Sequence, residues 1–194
     1  MNGHEIKNLR MKQLAVTNVI LLSCLILFYL MIFFSMNIAH ILLVLGILCF
    51  IHAGVRMKKG GSTKSIIPIY EKVAIYEKEK LGDEWYKQSK LKNIVYLIIG
   101  CIALLQSYMN WNSTVNFLRP DMIGMFVGIT ILLLITANVS LLIHNRKIDY
   151  SSVKELKGYT WKSVLVAIVL GIVLAIVFFT FIFSYVISNT LASH

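Results

Sequence analysis

The chain has 194 residues, of which 58% are hydrophobic and 14% are charged, and its mean hydropathy is +0.75. This composition excludes an ordinary water-soluble globular protein, and the length leaves no room for a second, soluble domain. The formal net charge of +10 would suit a nucleic-acid partner, but the positions of the charges argue against one, as described below.

Five long apolar segments follow one another along the chain, and none of them contains Asp, Glu, Lys or Arg. They cover residues 14–34, 38–55, 94–109, 122–143 and 163–187. A helix needs about 20 residues at 1.5 Å each to cross a ~30 Å hydrocarbon core. Only a backbone that satisfies its own hydrogen bonds can cross lipid. The sequence therefore predicts an all-α, polytopic membrane protein that forms a single domain of five transmembrane helices.

The positive charges lie on alternate connections between these segments. Residues 1–13 carry a net charge of +2, residues 56–92 carry +5 and residues 144–162 carry +3, which together account for the whole excess. By the positive-inside rule, these parts face the cytoplasm, so the N-terminus is expected inside and the C-terminus outside. Lys outnumbers Arg 15 to 4, which favours an AT-rich genome and thus the cytoplasmic membrane of a bacterium. We expect these basic residues to contact the lipid bilayer and not a nucleic acid.

The connection between the second and third segments, residues 56–93, is the largest part of the chain outside the apolar segments. Residues 58–64 (KKGGSTK) predict a flexible joint, Pro68 can open a helix, and Gly82 interrupts the pattern before Asp83, which can cap a second helix running into the third segment. The helix is expected to be amphipathic and cytoplasmic. Either it lies on the bilayer surface, or it docks a membrane or cytoplasmic protein through four apolar candidates: Ile69, Val73, Tyr76 and Trp85.

Small residues provide the clearest signal for helix packing. Gly124 and Gly128 form a GxxxG motif in the fourth segment, and Ala167, Gly171 and Ala175 recur every four residues in the fifth. Small residues let helix backbones approach closely in lipid. The two patterns predict either packing between the fourth and fifth helices or the seam of a homo-oligomer.

Groups that could support chemistry are few. The sequence has no HExxH, GxSxG, P-loop or zinc-ligand motif, so no catalytic residue, cofactor or metal is expected. Cys49 and His52 lie one turn apart and form the best thiol–imidazole candidate, although packing is the commoner role for such a pair. Asn138, together with Thr136 and Ser140, is expected to hydrogen-bond to a neighbouring helix.

Two stretches carry a family resemblance. Residues 4–13 (HEIKNLRMKQ) and 80–93 (KLGDEWYKQSKLKN) resemble uncharacterised multi-pass membrane proteins of staphylococcal type VII secretion gene clusters. The resemblance implies an accessory subunit of a membrane complex or a toxin-immunity factor, and it implies no site residue. We therefore expect a non-enzymatic protein that acts through protein–protein contacts. The alternative is a small oligomeric transporter or channel component.

Overall fold

The computed structural model describes residues 3–34, 36–112 and 123–192, and within these ranges the regular structure is entirely helical. Five of the helices are long and apolar enough to cross a membrane, which confirms the predicted all-α, five-span class. In chain order the helices are α1 (Gly3–Phe33), α2 (Ile38–Lys59), α3 (Pro68–Leu81), α4 (Asp83–Met109), α5 (Ile123–Tyr150) and α6 (Tyr159–Ala192). The short helix is α3.

Two of the spanning helices extend well beyond their apolar segments. Helix α1 begins at Gly3, so the basic residues before position 14 belong to the same helix as the span, and α4 runs without a break from Asp83 to Met109. The prediction of a helix continuing into the third span is confirmed. At 1.5 Å per residue, the added turns of each helix extend about 15 Å beyond the apolar segment, which brings polar side chains together at one end of the bundle.

The predicted limits of α3 are confirmed, while the predicted cap of α4 is not. Pro68 occupies the first turn of α3, where its missing N–H costs no hydrogen bond. Gly82 ends the helix at φ +54°, a conformation that glycine adopts without strain, and its N–H donates to the carbonyl of Lys78. Gly82 occupies the N-cap position of α4, and Asp83 is the first residue of the helix. The N-terminus of α4 therefore has no side-chain cap.

The tightest helix pair is α2 with α4. The hydroxyl of Ser107 donates to the carbonyl of Ala39 at 2.7 Å, and a Cβ atom added at Gly46 would lie 2.8 Å from the side chain of Leu104. Close approach therefore depends on small residues on both helices. The buried ones are Ala39, Gly46 and Ala53 on α2 and Gly100, Ala103 and Ser107 on α4.

A second core lies at the end of the bundle where the polar extensions meet, which we call the polar end. It brings together the start of α1, the end of α2, α3, the start of α4, the end of α5 and the start of α6. The core of this end is apolar and consists of Tyr76, Leu81, Trp85, Ile148 and Leu156. The connection between the second and third spans is thus folded against the rest of the chain.

Candidate functional site

Arg10 of α1 occupies the centre of the polar end. Its Nη1 lies 2.7 Å from Oε1 of Glu77 on α3, and its Nη2 lies 2.8 Å from Oδ1 of Asp149 on α5. The guanidinium carbon also lies 5.3 Å from the ring centroid of Tyr76. These four residues are named the Arg10 cluster. The side chains of Arg10, Glu77 and Asp149 are only 9%, 11% and 17% exposed, so the ion pairs are shielded from water.

Neutral polar side chains extend the Arg10 cluster to a fourth helix. Oε1 of Gln13 accepts hydrogen bonds from Arg10 (3.0 Å) and from Asn145 (3.3 Å). Nδ1 of His144 lies 3.0 Å from the hydroxyl of Tyr159 at the start of α6, and its Nε2 lies 3.8 Å from Glu77. One polar network therefore connects α1, α3, α5 and α6.

The chemistry of the Arg10 cluster is better suited to joining helices than to acid–base catalysis. A guanidinium presents several donors in a fixed fork, which suits two carboxylates at once. Burial, followed by the nearby carboxylate of Asp149, raises the pKa of Tyr76 to about 12. The Tyr76 phenol therefore keeps its proton at neutral pH and is poorly suited to act as a base.

A second buried contact attaches α6 to α4. The backbone N–H of Thr160 donates to Oε2 of Glu84 at 3.1 Å, and the Thr160 hydroxyl donates to the Glu84 carbonyl at 3.3 Å. Lys87 lies 2.7 Å from the other carboxylate oxygen. An anionic side chain is favourable at a helix N-terminus, where backbone N–H groups have no intrahelical partner. Glu84 therefore fixes where α6 begins.

Within the spans, polar side chains pair across α1 and α5. The amides of Asn18 and Asn138 donate to each other at 2.8 Å in both directions. Further along the two helices, the hydroxyls of Tyr29 and Thr130 are paired. The prediction that Asn138 bonds to a neighbouring helix is confirmed.

The four residues predicted to contact a partner lie mostly inside the chain. Val73, Tyr76 and Trp85 are 4%, 6% and 8% exposed, and Ile69 is half-buried. Val73, Tyr76 and Trp85 therefore form no open docking surface, because the rest of the folded chain covers them. The apolar face of α3 is therefore part of the core of this protein.

Four of the five predicted packing residues lie on open helix faces. Gly128 on α5 and Gly171 on α6 have no neighbouring atom within 4 Å of an added Cβ, and Ala167 and Ala175 are exposed. The structure therefore does not bring Gly128 and the α6 residues into close contact. Gly124 lies in α5, but its surroundings fall outside the described residues. Among the described residues, small side chains pack α2 against α4 instead.

Both residues of the thiol–imidazole candidate make packing contacts with α4. The His52 ring lies 4.5 Å from the ring of Tyr96, while Cys49 lies against Gly100 of the same neighbouring helix. No three His, Cys, Asp or Glu side chains in the described ranges come together as metal ligands.

The Arg10 cluster was not predicted from the sequence, because the charged residues were used only to infer the orientation of the chain in the membrane. A signal is present on α1, where Ile6, Arg10, Gln13 and Thr17 recur at spacings of four, three and four, which places them on one helix face. A charged residue within such a face points to a buried partner. The identity of that partner depends on residues 67 and 139 positions away, which no local pattern indicates.

No protein-family model, curated protein or solved structure matches this chain. The function is therefore inferred from the residues and their geometry.

Proposed function

We propose that this chain is a non-enzymatic multi-pass membrane protein that acts through helix contacts with another membrane protein. The observation that carries the proposal is the exposure of α6: every residue from 165 to 173 is exposed. Nine consecutive residues make two and a half turns, so the full circumference of the helix is uncovered by the chain itself. A spanning helix attached at its start through Thr160 leaves its membrane surface free for lipid or for a partner.

The face of α6 most suited to a partner carries the small residues Ala167, Gly171 and Ala175. All three are exposed, and they share one face because they recur every four residues. In lipid, helix association depends on close van der Waals packing, which small residues permit. Since an added Cβ at Gly171 would have no neighbouring atom within 4 Å, the small-residue face of α6 is available to a helix from a second molecule.

The proposed setting is the cytoplasmic membrane of a bacterium, with the N-terminus and the polar end in the cytoplasm and the C-terminus outside. The alternating distribution of positive charge supports this orientation. The resemblance of residues 4–13 and 80–93 to proteins of type VII secretion gene clusters adds two specific roles. The chain would serve as an accessory subunit of a membrane complex or as an immunity factor against a membrane-directed toxin.

The test is affinity purification of the tagged chain from native membranes in mild detergent, with partners identified by mass spectrometry. We compare the unchanged chain with Gly171→Leu, which fills the small-residue face, and with Val169→Leu, which adds bulk on the opposite side of α6. A stoichiometric partner should be recovered with the unchanged chain and with Val169→Leu and lost with Gly171→Leu. A partner retained by Gly171→Leu would refute recognition through this face.

The alternative function, a small oligomeric transporter or channel component, uses the same face of α6 against a second copy of the chain. Cysteine cross-linking separates the two, after Cys24, Cys49 and Cys101 have been replaced by alanine. A homo-oligomer predicts disulfide-linked dimers for Gly171→Cys and not for Val169→Cys. Dimers for both positions, or for neither, would argue against a symmetric seam on this face.

A further inference from the structure

A cavity of about 160 Å³ lies at the polar end, between the end of α2, the loop 60–67 and the facing sides of α3 and α4. It is much larger than the ~10–15 Å³ that one water molecule requires. Three basic side chains line it, together with several hydroxyl groups and the indole of Trp85. The basic residues are Arg56, Lys59 and Lys64, and the hydroxyls include those of Ser62, Thr63 and Ser89.

The positive charge of this cavity is not neutralised by the chain. No Asp or Glu lines it, and within the described ranges Arg56, Lys59 and Lys64 form no ion pair. Glu77 of α3 and Glu84 of α4 are engaged elsewhere, since Glu77 pairs with Arg10 and Glu84 bonds to Lys87 and Thr160. Arg56 makes one long hydrogen bond, 3.4 Å, to the hydroxyl of Ser89, so most of its donors remain available to a ligand.

The loop that forms one wall contacts both α3 and α4. Nζ of Lys78 donates to the carbonyl of Gly61 at 2.8 Å. Gly61 itself packs on the ring of Tyr86, where an added Cβ would lie only 2.6 Å from a ring carbon. Gly60 turns the chain at φ +52°, a conformation that favours glycine. The wall is therefore formed before any ligand arrives, which lowers the entropic cost of binding.

We propose that this cavity binds a phosphate group, supplied by an anionic phospholipid headgroup or by free phosphate. Guanidinium and ammonium groups bind phosphate through charge-assisted hydrogen bonds, and the hydroxyls add further donors. Basic pockets at the ends of membrane helices are suited to lipid headgroups, because the acyl chains can stay in the bilayer. This inference does not depend on the proposed function of α6.

The test measures the affinity of the purified full chain, in an uncharged detergent, for short-chain phosphatidylglycerol and for inorganic phosphate. The informative variant is Lys59→Ala/Lys64→Ala, because both side chains are exposed and their loss should leave the fold intact. The matched control is Lys58→Ala/Lys72→Ala, which removes the same charge from two exposed lysines outside the cavity. Thermal unfolding curves check that both variants are folded.

Each basic side chain is expected to contribute about fivefold in affinity, so Lys59→Ala/Lys64→Ala should bind about twenty-five-fold more weakly, and the control less than twofold more weakly. Saturable binding of phosphatidylglycerol alone would identify a lipid headgroup as the ligand. Saturable binding of inorganic phosphate would show that free phosphate suffices. Equal weakening by both double variants would overturn the proposal in favour of diffuse attraction, as would the absence of saturable binding to either probe.

Discussion

Replacing Arg10 by methionine should be among the most destabilising single changes in this protein. Methionine keeps a long side chain and a high helix propensity, so α1 itself is little affected. The change removes the guanidinium that lies between Glu77 and Asp149, at 2.7 and 2.8 Å from their carboxylate oxygens. Two largely buried carboxylates are then left without their counter-charge.

The expected loss follows from this geometry. Removing one partner of a buried ion pair costs about 3–5 kcal/mol, because the remaining charge stays buried and unpaired. We expect about 3 kcal/mol, at the lower end, since the Asp149 side chain is 17% exposed and His144 lies 3.8 Å from Glu77. For a chain of this length, that corresponds to a fall of about 6–12 °C in the unfolding temperature.

The assay is thermal unfolding of the purified protein in mild detergent, followed by tryptophan fluorescence. The control is Lys12→Met, which changes an exposed residue of the same helix and should cost less than about 0.5 kcal/mol. The triple variant Arg10→Met, Glu77→Gln, Asp149→Asn should recover part of the loss, because no charge is then left unpaired. The reasoning fails if Arg10→Met is no worse than the control, or if the triple variant is as unstable as Arg10→Met.

Three further predictions follow from contacts elsewhere in the chain. Gly46→Val should cost about 1–3 kcal/mol, because its added carbon would lie 2.8 Å from a leucine of α4; Gly54→Val, with nothing within 4 Å, should cost clearly less, and equal unfolding temperatures would contradict this. Leucine at Asn18 and at Asn138, singly and together, should give a coupling energy of about 0.6–1.7 kcal/mol in a double-mutant cycle of unfolding measurements; strict additivity would argue against the amide pair. The raised pKa of Tyr76, about 12 against 10.0, means that stability is lost as the pH rises from 10 to 12, because the unfolded phenol ionises first. Tyr76→Phe should show a smaller alkaline loss in the same unfolding assay, and an unchanged pH profile would contradict the assignment.

Local patterns were sufficient for the helices and several of their limits. The apolar segments predicted the five long helices, since length and hydropathy are properties of each segment alone. Pro68 and Gly82 predicted the limits of α3, because both act through the conformation of their own backbone. The hydrogen bond of Asn138 to a neighbouring helix was also predictable from the residue alone. An amide side chain within lipid needs a hydrogen-bond partner, whichever helix supplies it.

The candidate site was less predictable, because it depends on which helix faces contact each other in the folded chain. Val73 and Tyr76 have the spacing of the apolar face of an amphipathic helix, yet both are buried because α1 and α5 pack against α3. Spacing identifies an apolar face but not whether the chain itself covers that face.

The sequence by itself determined the class of this protein, because hydrophobicity and backbone hydrogen bonding in lipid act on each segment independently. Only the tertiary structure decided that Arg10 pairs with Glu77 and Asp149, that small residues join α2 to α4 and that α6 remains uncovered. These features depend on contacts between residues far apart in the chain, and such contacts follow from the arrangement of the described helices together.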